Sequence, residues 1–541
     1  MRLSILITAA SLGLVSALHA QGYKTTEESY LVPTANADFT FEPILTVGDL
    51  VPVTGGGATD KFAMCGIPDA MGFYRDTKTR QNILFMAHEM PSNVHSQPFA
   101  NLPRYKGAWV SRFVMGSDGG VINGSIAHKD LYLGNTKVAD HSPIEGETAA
   151  FTRFCSGSFI GTKQGFDRPI FFTNEESADG NYEAKGSQTV AVIDGALHTL
   201  PALGRVAREN TIPMPRHDGL TVLISTEDGS NPSYVYMYVG QKDKNSTDVL
   251  ARNGLVGGKT YVLASEGVQH NEGTFTKGDI KTKWVEIPNA ASLTSAQLSE
   301  AADDAGAFGF VRVEDGECDP NEPTRYIYFS TTGGSGPNRL GRLYKLQFNK
   351  NRPWEQGELD IIYNADELIT PGGTYAGAAT GQLRGAGATG NLGNYTGGDI
   401  NAGIDYPVSI DNIAINSKYI VICEDRNAPA DAVFAKYGRT GGVWTLDMTK
   451  KYAAKLQATF NYGYVGARDN RTTPLSGGTW EASGVIETNE AFGSGTFAIN
   501  VQGHSNMRTN APDGQGGSLP IVEANRRFAE DGQLLIMRKA K

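Results

Sequence analysis

Short runs of apolar and β-branched residues, bounded by Gly, Asp, Asn and Pro, recur along most of this chain. NILFMA (82–87), AWVSRFVM (108–115), PIFFT (169–173), LTVLIST (220–226) and SYVYMYV (233–239) come first. RYIYFST (325–331), GRLYKLQF (341–348), YIVIC (419–423), GGVWTL (441–446), TFAINV (496–501) and QLLIMR (533–538) follow. Runs of this length, rich in Val, Ile, Tyr, Phe and Thr, read as strands. Helical signals are few: SLTSAQLSEAA (292–302) has a Ser or Thr cap ahead of good helix formers, and YNADELI (363–369) reads as a short helical turn. Strand and helix do not alternate, which argues against a parallel α/β sheet and predicts an all-β chain.

One unit repeats. An apolar run passes through Thr, Ala or Cys into an acid, as in FMAHE (to Glu89), FFTNEE (to Glu175 and Glu176), LISTED (to Glu227 and Asp228) and VICED (to Glu424 and Asp425). YIYFSTTGG follows the acidic segment RVEDGECDP, and FAINVQGH ends in Gln502 and His504. About six such units, unevenly spaced by insertions, are the pattern of a β-propeller. The chain's 541 residues would otherwise suggest three or four domains. Its 65 glycines fit many tight turns, and the Gly-rich stretch 370–403 is the clearest long loop.

Charge narrows the function classes. The formal net charge is −10 and no Lys/Arg-rich run occurs, so phosphate neutralisation of a nucleic acid is not expected. Residues 1–20 read as a secretory signal peptide, with Arg2 ahead of an apolar stretch and SALHA before Gln21. No later apolar run is long enough to span a membrane. A secreted or periplasmic monomer is therefore expected, with residues 21–541 forming one propeller domain. Cys65, Cys155, Cys318 and Cys423 allow disulfides but form no CxxC pair.

In a propeller, equivalent strand ends converge near the axis, so the repeated acids would share a small space. Carboxylates that close repel one another unless cations neutralise them, which points to a multi-metal site. Oxygen ligands suit Ca²⁺, and an acid-rich mixed site suits Fe or Mn. Cys155 reads either as a buried apolar residue or disulfide half, or as a thiolate ligand. Arg312 and Glu314, two apart in FVRVEDGECDP (310–320), would face one side of a strand. An Arg there can clamp a phosphate bidentately; its plain alternative is a structural ion pair.

The segments GIPDAMGFY (66–74), MAHEM (86–90), GAWVSRFV (107–114), RFCSGSF (153–159), NEES (174–177), TEDGS through VYMYVGQK (226–242), FVRVEDGECDP (310–320), DNIAIN (411–416), ICED (422–425) and EASGVIE through FAINVQGH (481–504) occur in this order. In that order the chain resembles the PhoX-type alkaline phosphatase family. The resemblance implies a six-bladed β-propeller with long loop insertions, holding iron (Fe³⁺) and calcium (Ca²⁺) at its axis. It implies Cys155 as an iron ligand, Glu89, Glu175, Glu227 and Glu314 as metal ligands, and Arg312 with Glu314 as the catalytic pair. The small substrate would be a phosphate monoester, or a diester, attacked by a metal-bound oxide or hydroxide. Two alternatives stay open: a non-catalytic, calcium-stapled binding propeller, and a phytase-like or esterase-like hydrolase on the same fold. No GxSxG elbow, HExxH pair or P-loop is present.

Overall fold

The computed structural model describes residues 21–139, 150–177, 182–229, 232–334, 336–368, 405–425, 439–461, 480–504 and 507–540, with isolated positions between 430 and 437. The leader-like residues 1–20 and the Gly-rich stretch to 403 lie outside them. Strands dominate, arranged as a β-propeller. Among the described residues, six antiparallel meanders can be followed through the ladders, each beginning with a strand that lines the axis. These inner strands are Pro68–Arg75, Phe154–Ile160, Arg208–Pro213, Val313–Cys318, Ile410–Ile415 and Trp480–Glu487. Each packs against the next, and the last returns to the first, so they close a ring. Hydrogen bonding does not divide the meanders into six separate sheets. The third and fourth run together in one nine-stranded sheet, and the second is extended to six strands.

The second strands are Asn82–His88, Ile170–Glu175, Leu220–Glu227, Tyr326–Thr331, Tyr419–Glu424 and Thr496–Gly503. They are almost wholly buried, which is why they read as continuous apolar runs rather than alternating ones. Apolar clusters fill the wedges between meanders: Ile160, Phe172, Leu223 and Tyr238 join the second to the third, and Val421, Val443, Trp480 and Leu535 join the fifth to the sixth. The N-terminal segment locks the ring. Phe39–Thr46 pairs with Asp531–Lys539 in the sixth meander, and Leu31–Pro33 pairs with Ala453–Phe460 in the fifth. The expected helix over 292–302 starts three residues later, at Ser295–Asp304 behind a Thr294 cap, and the turn over 363–369 is a 3-10 turn at Ala365–Leu368. All four cysteines are free, so none of the disulfides the sequence permits is formed.

Two backbone devices recur where the inner strand begins. In five meanders the inner strand is bulged just after its first residue, for example between Phe154 and Gly157 and between Val313 and Gly316, and in the sixth the bulge comes two residues later, between Ala482 and Val485. A bulge leaves two residues opposite one, kinks the strand and re-aims a side chain. In four meanders the residue just before the strand is a non-glycine in the left-handed region: Ile67, Arg153, Arg312 and Ser409, with φ of 50°, 48°, 54° and 49°. Their carbonyls accept the N–H of Glu89, Glu176, Thr332 and Asp425 respectively, adding one contact beyond the end of each second strand.

Candidate active site at the propeller axis

The start of each inner strand contributes its second residue to the axis, from within the bulge in five meanders and from just ahead of it in the sixth. These residues are Asp69, Cys155, Glu209, Glu314, Asp411 and Glu481, one from each meander in turn. The residue just past each second strand forms a companion set: Glu89, Glu176, Asp228, Thr332, Asp425 and His504. All of these except Asp69 and Thr332 line one cavity of about 320 Å³, together with Arg153, Arg312, Glu530 and an apolar wall of Ile67, Pro91 and Val94. Thr332 instead donates its hydroxyl to Glu314, and Asp69 sits below, accepting from the Cys155 thiol at 3.2 Å and from Gln502 at 3.0 Å.

Of the residues singled out in the sequence, Glu89, Cys155, Arg312 and Glu314 meet in this cavity. Glu175 and Glu227 do not. Each is the last residue of its second strand, paired with the first residue of the inner strand, Phe154 or Arg208. Because strand side chains alternate, the last strand residue and the one after it face different ways. Glu175 accepts the backbone N–H groups of Thr152 at 3.0 Å and Gln188 at 2.9 Å, and Glu227 accepts that of Tyr234 at 3.0 Å. Their neighbours Glu176 and Asp228 take the axial places. Arg312 and Glu314 do form a pair, at 3.2 Å, but through the left-handed turn at Arg312 and the bulge after Val313 rather than by regular alternation.

The inner-strand residues Asp69, Glu209, Asp411 and Glu481 carry no strong sequence signal. What marks them is position: an acid or Cys second in a strand whose third residue is small or polar. Asp69, Asp411 and Glu481 lie in segments that carry the family resemblance, while Glu209 shows only once the strand starts are superposed.

Burial and mutual repulsion dominate the electrostatics. Burial pushes Asp69 up to about 7, with the Glu89 charge adding to it. Burial, then the Asp69 charge, pushes Glu209 up to about 8. Burial and then Asp228 raise both Glu176 and Glu314 far above the usual carboxylate range, and Asp411 and Glu481 are raised likewise. The Cys155 thiol is also raised, by burial and then by Asp69. Asp69 Oδ1, Glu209 Oε2 and Asp411 Oδ1 are buried without a hydrogen-bond partner. Orphaned carboxylate oxygens packed this closely fit bound cations, which would satisfy the lone pairs and reverse the repulsion. Three overlapping sets place their ligand atoms within 4.8 Å of one another: Asp69, Glu89 and Cys155; Cys155, Glu176 and Glu209; and Glu209, Glu314 and Asp411.

Among the described residues, two arginines and a histidine rim the acids. Arg312 bonds Asp228 through Nε and Nη2, at 3.0 and 2.9 Å; burial alone would lower its basicity, but Glu314 and Asp228 raise it. Arg153 bonds Glu89 at 3.0 Å and Glu176 at 2.6 Å. His504 lies 2.7 Å from Glu530; burial disfavours its charge, while Glu481 and Glu530 favour it.

The family described as "Alkaline phosphatase PhoX" matches residues 196–484. Among solved structures, Pseudomonas fluorescens PhoX in complex with vanadate, a transition state analogue, is similar over 96% of this chain and 98% of that one, with a TM-score of 0.56 and 14% identity. No curated protein matches the chain.

Proposed function

The chain belongs to the PhoX alkaline phosphatase family, whose match spans more than half of it, and from that premise we propose that it is a metal-dependent phosphomonoesterase acting at the axial cavity. The observation that carries this reading is the convergence of Cys155, the inner-strand acids and Arg312 on one cavity. An acid cage alone would repel a phosphate; an acid cage holding cations and edged by arginine attracts it.

We assign the ligands by donor chemistry. The two sets that share Cys155 suit iron, because a thiolate with carboxylates favours a transition metal. Glu209, Glu314 and Asp411 offer oxygen only and suit calcium. In this reading Glu176 and Asp228 replace Glu175 and Glu227 in the site. Bound cations supply Lewis acidity toward the phosphoryl oxygens. The chain's own residues do the rest. Arg312, fixed by Asp228 and Glu314, binds equatorial oxygens whose charge rises in the transition state. Ile67, Pro91 and Val94 give the departing group a wall and keep water from that side. Ser156 donates to Glu209 and Thr332 to Glu314, which holds both carboxylates in place.

The protein is proposed to work outside the cytoplasm, on the leader-like residues 1–20, as a monomer built from a single domain over 21–541. Among the described residues no helix is long and apolar enough to cross a membrane. The test is hydrolysis of an aryl phosphate and of its diester by purified protein, before and after loading with Ca²⁺ and iron, alongside metal analysis. Turnover of the monoester that follows metal content is expected. A fully loaded protein that hydrolyses neither ester would leave the site a structural staple.

A further inference from the structure

Arg153 and Arg312 hold the same place in the repeat, in the second and fourth meanders. Each immediately precedes an inner strand, each has the left-handed backbone that L-residues avoid, and each carbonyl accepts the N–H of the residue just past its own second strand. The corresponding residues described in other meanders are Ile67, Ala207 and Ser409, none of them a cation. Strain of this kind persists where its surroundings over-determine it, and it clusters at functional sites. Both guanidiniums line the same cavity and stay partly open to it, with side chains 45% and 33% exposed. Each spans two acids: Arg153 takes Glu89 with Nε and Glu176 with Nη2, and Arg312 takes Asp228 and Glu314. That leaves Nη1 of Arg153 without a hydrogen bond among the described residues, on a group that faces the cavity.

We propose that Arg153 is a second phosphate-binding residue of this site, so that two guanidiniums from alternate meanders grip one phosphate across the acid ring. The inference rests on the phosphatase reading above and adds a residue to it. A tetrahedral phosphate offers several oxygens in different directions, and a planar fork matches two of them where a lysine ammonium cannot. Arg312 reaches from the side of Glu314, while Arg153 reaches from beside Glu89 and the apolar wall, so together they would fix which oxygen ester points at that wall.

The experiment uses the metal-loaded protein with inorganic phosphate and orthovanadate as probes. Binding is read by calorimetry, inhibition constants by aryl phosphate turnover, and metal content on every variant. Arg153→Lys keeps a positive charge but loses the fork; phosphate affinity should fall about 10-fold or more, as for loss of a charge-assisted hydrogen bond, at unchanged metal content. Arg153→Gly removes the left-handed strain together with the ion pairs to Glu89 and Glu176, and its phosphate affinity should drop at least as far as that of the lysine variant, again at unchanged metal content. Wild-type affinity in both variants would overturn the proposal. So would an affinity loss that merely tracks lost metal, since Arg153 would then only position Glu89 and Glu176. If the wild type binds phosphate but cleaves no ester, the phosphatase reading fails by itself and the binding data still judge Arg153. If loaded wild type binds neither probe, the two-arginine grip fails with it.

Discussion

Two rings of side chains sit one residue apart at the same end of the propeller, and they do opposite things. The last residues of the second strands, including His88, Glu175, Glu227 and Glu424, turn away from the cavity and are tied down. Glu175 takes two backbone N–H groups, Glu424 takes the N–H of Val408 at 2.9 Å and the Arg439 guanidinium, and His88 bonds Gly66 and Ser111. The next residues, Glu89, Glu176, Asp228, Asp425 and His504, face the cavity, where carboxylates meet one another and a rim of cations. Composition does not separate the rings, since both are rich in acid. Partners separate them. A buried carboxylate with backbone donors is a fastening, and one that faces other carboxylates is a ligand waiting for a cation.

The sharpest way to break this comparison is to neutralise the two neighbours in turn. Glu176→Gln should lower kcat/KM by about 10³-fold or more, the equivalent of several kcal/mol of Lewis-acid stabilisation, with metal lost and the fold kept. Glu175→Gln should leave metal content intact and change kcat/KM less than about 10-fold. It should cost about 1–3 kcal/mol of stability, because an amide NH₂ would face a backbone N–H that needs an acceptor. Steady-state kinetics, metal analysis and denaturant melts on both variants decide it. Equal loss of activity in the two would erase the distinction.

The second test removes the metal. Asp69 moves from 3.8 to about 7 and Glu209 from 4.5 to about 8 on folding. The folded chain therefore binds protons that the unfolded chain has released, so without metal the contribution of these two groups to stability is full below about pH 4 and is lost as pH rises toward 8. Glu175, raised to about 8 by burial, and Glu227, raised to about 7 by burial, push the same way. Cations should cancel the share of the cavity ring and leave that of the tied ring. Thermal melts between pH 4 and 8, with chelator and with Ca²⁺ and iron restored, should show a steep fall without metal and a shallow one with it. Identical slopes would mean the cavity acids hold no cation.

The same split explains what could be read in the sequence. The second and third strands announce themselves, because burial on both faces demands runs such as LTVLIST and YIYFST. The inner strands do not. RENTIP, VEDGEC and IDNIAI carry acids, amides and Gly because they line the axis, and their bulges break the alternation that strand patterns depend on. So the strands that bear the chemistry look least like strands, and nothing in the local pattern singles out Asp69, Glu209, Asp411 or Glu481. The acids after the second strands were visible, but a doublet such as Glu175–Glu176 or Glu227–Asp228 does not say where the ladder ends. Glu89 was unambiguous because a histidine, not a second acid, precedes it.

That histidine supplies the smallest test. His88 is fully buried, and burial lowers its basicity to about 4, so it is neutral at ordinary pH. Its Nδ1 lies 3.1 Å from the Gly66 carbonyl, which can only accept, so the proton sits on Nδ1 and Nε2 must accept from the Ser111 hydroxyl at 2.8 Å. Ser111→Ala leaves Nε2 as a buried acceptor with nothing to accept, at a cost of about 1 kcal/mol and a couple of degrees in Tm. Because His88 belongs to the tied ring, kcat/KM and metal content should not change, even though Glu89 is the very next residue. A melt and a metal assay on the variant suffice. Lost metal or activity at unchanged Tm would show that the first meander passes its fastening on to its ligand, and that the two rings are one device rather than two.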